Sequence, residues 1–162
     1  IFAWLWPRLE QRGLNPSKPA KSAYGLILAG VSFLVLVWSA RNPQANGLTN
    51  IWWFVLAYFV LEVGEMLLSP IGLSAVTQLS VPRVVGLMMG GWFLGTSYSE
   101  ILAAELGKLS AIEIPEGAVF NVVEALAKYD ELFVFSAQIG IGSGLLVLIL
   151  TPFVKRLMHG VR

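Results

Sequence analysis

The sequence predicts an all-α membrane protein: four membrane-spanning helices preceded by the end of another. Three observations predict it. Apolar residues make up 56% of the 162 and charged residues 13%, against about 25% charged in a soluble domain. Mean hydropathy is +0.72. The apolar residues also lie in long runs, four of them near the length of about 20 residues that crosses about 30 Å of hydrocarbon as a helix.

In chain order, residues 1–6 read as the remnant of an earlier span. The opening IFAWLWPRLE lacks the basic head, apolar middle and small-residue cleavage site of a signal peptide. The first full span covers residues 22–40 and has no charge. The second, 51–74, is apolar except for Glu62 and Glu65. The third, 84–106, carries Glu100 and, near its end, Glu105. The fourth, 132–154, has no charge. Asn15-Pro16, Asn42-Pro43, Asn46-Gly47, Val81-Pro82 and Ile114-Pro115 punctuate the breaks. The loop 107–131 is expected to hold a short amphipathic surface helix around 118–128.

Loop charges orient the spans, because cytoplasmic loops are enriched in Lys and Arg. Arg8, Arg12, Lys18, Lys21, Arg83, Lys155, Arg156 and Arg162 fall on one side, and Arg41, Lys108 and Lys128 on the other. Eight against three sets the N-terminal segment, the 80–83 turn and the C-terminal tail in the cytoplasm. The protein is therefore expected to be multi-pass in the cell (inner) membrane, with the lipid bilayer as its surroundings. The glycine pairs Gly86/Gly90, Gly91/Gly95 and Gly140/Gly144 have the four-residue spacing that lets helix backbones approach closely in lipid.

Charged groups inside a span are costly and usually face a bundle interior or a water-filled cavity. At about 100° per residue, Tyr58, Glu62, Glu65, Ser69 and Gly72 fall within a sector of roughly 80°. One face thus holds two carboxylates, a phenol, a hydroxyl and a notch. Two like charges one turn apart repel, so at least one is expected to pair with a cation or to be protonated. Pro70 removes an intrahelical hydrogen bond beside Ser69 and marks either a static kink or a hinge. The tight turn at 80–83 makes the second and third spans an antiparallel hairpin, a form able to open and close a cavity. The third span carries its own stripe of Trp92, Thr96, Ser99, Glu100 and Ala103. Trp92 offers a rigid surface with one donor, suited to a pocket wall or to packing. Glu100 either pairs with another helix or titrates.

Several function classes are disfavoured. His159 is the one histidine and there is no cysteine, so neither a histidine-based metal site nor a catalytic triad can be assembled. A net charge of +1 suggests no nucleic-acid partner. No Gly-rich phosphate loop follows a strand, and the acids lack the spacing of an intramembrane hydrolase. No catalytic residue, metal or organic cofactor is expected, and the chain reads as a transporter and not an enzyme. A membrane enzyme or a structural subunit remains as the reading outside transport.

The run GEMLLSPIGLS at residues 64–74, followed by AVTQL at 75–79, closely resembles a signature of the proton-dependent oligopeptide transporter (POT) family of the major facilitator superfamily. GLMMGGWFL at 86–94 is similar to the family's following helix, and FAWLW at 2–6 with Asn15-Pro16-Ser17 to a preceding segment. The resemblance implies the end of helix 8 and helices 9 to 12 of a 12-helix bundle, a numbering that agrees with the orientation from charge. It implies proton-coupled uptake of di- and tripeptides by alternating access, with protons as the coupling ion. Another small charged solute carried by a member of the same family is the alternative. On this resemblance Glu65 binds the peptide's free amino terminus, Ser69 adds a polar contact and Trp92 forms a bulky wall. Glu62, Pro70, Thr96 and Glu100 are left as gating or proton-linked candidates. The 27 residues between Glu65 and Trp92 suggest similar depth on paired helices. Two positions depart from the pattern. Gln78 stands where a lysine is expected, and Glu100 where a neutral residue is expected.

Overall fold

The structure is a computed structural model that describes residues 2–44, 47–109, 111 and 121–157. The described residues form five α-helices and no strand: α1 (Phe2–Gln11), α2 (Lys18–Arg41), α3 (Ile51–Leu79), α4 (Val85–Leu109) and α5 (Val122–Leu157). Each end has a local cause. Gly13, at φ 67°, allows the chain to reverse after α1. Pro19 sits in the first turn of α2, where its missing N–H costs nothing. At the other end of α2, Asn42 donates its backbone N–H to Trp38 O and Pro43 stops the helix. The Asn50 side chain caps α3 by accepting the Trp52 N–H at 3.0 Å. The α3–α4 turn closes with the Val84 N–H donating to Val81 O at 2.9 Å.

The helices overrun the expected spans at several ends. α3 continues past residue 74 to Leu79 and runs through Pro70 as one helix. The expected surface helix at 118–128 is corrected: from Val122 the chain is already the first turns of α5, 36 residues long, and residues 118–120 lie outside those described. The break at Ile114-Pro115 also lies outside the described residues. α2, α3 and α5 are long and apolar enough to cross a membrane. α4 is long enough at 25 residues but not among the apolar ones. Its glycines, Thr96, Ser97, Ser99 and two glutamates dilute it.

α2 is the spine. It packs along both α3 and α5, while α4 meets α3 near their turn. Most of the buried residues are small, among them Ala23, Gly25, Gly30 and Ser32 of α2, Ala57 and Gly64 of α3, and Ala137 and Gly144 of α5; Val37 and Leu67 are the larger exceptions. A Cβ on Gly25 would lie 2.7 Å from Gly64 O, and one on Gly64 2.8 Å from Gly25 O. On the other side of α2, a Cβ on Gly140 would lie 2.7 Å from Gly30 Cα, and one on Gly144 2.9 Å from Ala23 O. Backbones therefore touch where side chains would otherwise stand. This is how helices associate when lipid supplies no hydrophobic drive. Of the expected glycine pairs, Gly140/Gly144 packs in this way. Gly86, Gly90, Gly91 and Gly95 have nothing within 4 Å among the described residues. The buried Ser32 hydroxyl donates to Ala29 O at 2.6 Å, within its own helix. At the far end of α2, Arg41 forms a bidentate ion pair with Asp130 of α5, at 2.8 and 2.9 Å.

Gly140 and Gly142 give a matched test of this packing, since a Cβ on Gly142 meets nothing within 4 Å. Gly140→Ala is expected to destabilise the protein by about 1–3 kcal/mol through overpacking. Gly142→Ala should be neutral or stabilise by about 0.4–1 kcal/mol through lost unfolded-state entropy. Thermal unfolding in detergent, followed by tryptophan fluorescence, checks both; equal melting temperatures for the two variants would refute the contact.

Candidate functional site

The polar face of α3 is built by helical spacing, and most of it stays uncovered. Glu62 and Glu65 are both exposed, and among the described residues neither enters an ion pair. Among the described residues no cation therefore meets the expectation of a charge partner. Tyr58 is also exposed, and its ring lies 4.8 Å from that of Phe54. Ser69 is half-buried and Pro70 exposed. The acids thus stand on a spanning helix with their oxygens available to a cationic group.

Gly72 is the notch of this face, and Trp92 fills it. A Cβ on Gly72 would lie 2.2 Å from Cη2 of Trp92 and 2.8 Å from Cζ2. Only glycine admits the indole there. The contact sets the register of the hairpin: Trp92 is level with Gly72, seven residues beyond Glu65 and so about 10 Å from it along the helix. The expectation of similar depth for Glu65 and Trp92 is thereby corrected. Counted from the same contact, position 65 is matched by position 99, next to Glu100. The physical reason is the short turn, which pairs residues equally distant from it. Beyond Trp92, residues 93–105 of α4 are all exposed. Thr96 donates its hydroxyl to Phe93 O at 2.9 Å and Ser99 to Thr96 O at 2.6 Å, so both protons are held by their own helix. Glu100 is exposed and enters no ion pair among the described residues, whereas Glu105 pairs with Lys108 at 2.6 Å.

At the turn end of α3 the structure adds a contact that spacing alone did not indicate. Lys18, at the start of α2, donates to the Gln78 side-chain oxygen, and Gln78 donates in turn to Ser74 Oγ at 3.2 Å. A lysine at 78 would set two ammonium groups against each other; glutamine ties α3 to α2. The signal in the sequence was the departure at Gln78, without its partner. Among the described residues no group of three or more His, Cys, Asp or Glu side chains gathers to hold a metal.

Comparison with known proteins agrees with the motif. The family model described as PTR2, POT family, matches residues 1–116. The chain is 35% identical to "Uncharacterized transporter YclF" of Bacillus subtilis (strain 168), over 99% of this chain and 29% of that protein. It is 33% identical to "Dipeptide and tripeptide permease A" of Yersinia pestis, over 82% of this chain and 25% of the relative. The permease of the same name from Chromobacterium violaceum is 36% identical, over 86% of this chain and 28% of the relative. The chain thus spans less than a third of the length of each of these relatives. With a family match over most of its residues and the acidic, Ser-Pro-containing face of α3 inside that match, this chain belongs to the POT family.

Proposed function

We propose that this chain supplies helices to a transporter that takes up di- and tripeptides with protons, by alternating access across the cell membrane. The observation that carries the reading is Glu65, an exposed carboxylate with no ion pair among the described residues, on a helix long and apolar enough to span a membrane and inside the family match. A peptide's ammonium group loses hydration on entering a low-dielectric cavity and needs a counter-charge to offset that loss. Glu65 meets that need, with Ser69 one turn away as a polar contact. Permeases named for dipeptides and tripeptides among the relatives support the substrate class. Protons are the coupling ion, and Glu62 and Glu100 are candidates to exchange them. Trp92, seated on Gly72, walls the cavity at the turn end, with Thr96 above it.

The α3–α4 hairpin is the moving part of this reading. α3 is fixed to α2 at Gly64, and Pro70 interrupts its hydrogen bonding before the Gly72 notch that carries α4. Bending at Pro70 would swing the hairpin tip toward or away from the cavity mouth. The loop charges orient that tip, and the end of α5, toward the cytoplasm.

Orientation is checked by single cysteines in this cysteine-free chain. Ser80→Cys should label from the cytoplasmic side and Gln44→Cys from outside; the reverse pattern would invert the topology. The site is checked in proteoliposomes with an inward proton gradient. Glu65→Gln should weaken competition by Ala-Ala by about 10- to 100-fold, the loss of one hydrogen bond to a charged group. N-acetyl-Ala-Ala, which lacks the cation, should compete poorly against the parent protein. Trp92→Ala and Gly72→Ala should both weaken peptide binding, the second by expelling the indole from its notch. Unchanged uptake in Glu65→Gln, or equal competition by the two peptides, would return Glu65 to a structural role.

A further inference from the structure

We propose that the cavity where α1 ends and α2 begins is a binding site for an anionic glycerophospholipid with hydroxyl groups in its headgroup, such as phosphatidylglycerol. The cavity, of about 680 Å³, lies between the ends of four helices. Three ammonium groups line it, Lys18 and Lys21 of α2 and Lys155 of α5, against the single carboxylate of Glu10. That carboxylate accepts from the Asn15 side-chain nitrogen and offsets one of the three charges. Lys21 lies 4.2 Å from the centroid of the Trp6 ring, which holds its charge at the cavity edge. Among the described lining residues the cavity therefore keeps a surplus of positive charge, three ammonium groups against one carboxylate.

Two further features fit a lipid with a hydroxyl-bearing headgroup. The lining also includes Met66, Pro70 and Ile71 of α3, a helix apolar and long enough to span the membrane. Basic side chains from the starts and ends of helices beside apolar side chains of a spanning helix suit a phospholipid, with its phosphate at the lysines and an acyl chain along the helix. Basic pockets between spanning helices at a membrane face take anionic headgroups for this reason. The second feature is Asn15. Its amide nitrogen faces Glu10, and its oxygen is buried with no hydrogen-bond partner. A buried acceptor without a donor is costly. A glycerol hydroxyl would satisfy it, whereas a choline headgroup has no donor to give.

This site is separate from the proposed peptide site, since Glu65, Ser69 and Trp92 are not in its lining. It depends on neither the substrate nor the direction of transport. Its position does give it leverage on the hairpin. Pro70 and Ser74 line the cavity, and Lys18 also holds Gln78 at the hairpin tip. A phosphate drawing Lys18 toward the cavity competes with that tie.

The test uses the full-length, delipidated protein in detergent and counts retained lipid by native mass spectrometry. Phosphatidylglycerol should be retained in preference to phosphatidylcholine. Lys155→Gln should lower its affinity by about fivefold, and Lys18→Gln/Lys21→Gln/Lys155→Gln by on the order of a hundredfold, at about 1 kcal/mol per cation. Arg156→Gln removes a neighbouring cation outside the lining and should behave as the parent. The exposed Lys155 keeps the test readable even where the triple variant does not fold. Equal retention of the two lipids, or no loss in Lys155→Gln, overturns the site. Displacement of phosphatidylglycerol by millimolar inorganic phosphate or glycerol 3-phosphate overturns it in favour of a soluble anion.

Discussion

The backbone contacts of α2 are the constraint on which the rest of the structure depends. Gly25 meets Gly64 of α3 on one side, and Gly30 meets Gly140 of α5 on the other, each at distances that no side chain would permit. Burial of large apolar groups cannot organise these helices, because among the described residues no large side chain is fully buried and lipid tails are as apolar as leucine. Close approach gains dispersion along the whole contact and fixes rotation as well as distance. Once α2 is fixed in rotation, the position of Gly64 settles which way α3 turns. The acids of α3 then lie on a face that α2 leaves open.

The same constraint gives the proposed gate its fixed and moving parts. α2 and α5 are held at Gly30, Gly140 and Gly144 and strapped at one end by Arg41 and Asp130. α3 shares that rigidity up to its contact with α2 at Gly64. Past Pro70, α3 keeps residues 71–76 half-buried and is tied by the indole in the Gly72 notch and the Lys18–Gln78 hydrogen bond. α4 follows the α3 tip, and its residues 93–105 are all exposed. A proposed gate built this way bends at one proline and is latched by one polar contact. The proposed lipid cavity shares residues with both.

Much of this was legible in the sequence, and the limits are physical. Charge-free apolar runs revealed α2 and α5, because a span must satisfy its backbone internally and keep charge out. The 100° spacing brought Glu62, Glu65, Ser69 and Gly72 to one face, and the structure keeps them there. The Gly140/Gly144 pair was legible from its four-residue spacing. Gly25, Gly30 and Gly64 were not, since single glycines become contacts only when another helix presents its backbone opposite them. The depth of Trp92 was misjudged because residue count ignores where the turn lies; the Gly72 contact supplies that origin. α5 began earlier than expected because the polar stretch before its apolar run is helical too. Lys18–Gln78 joins residues sixty positions apart, and no local pattern encodes such a pair.

The central claim is that α2 and α5 form a fixed frame against which the α3–α4 hairpin moves. Electron–electron distance measurements between spin labels test it directly, with one label common to two pairs. Trp38 of α2 is exposed, as are Leu150 of α5 and Val81 at the hairpin tip. In the full-length protein, the Trp38–Leu150 distance should stay the same with and without dipeptide and proton gradient, while the Trp38–Val81 distance should shift. A change in the α2–α5 distance with a stationary hairpin tip would contradict the account.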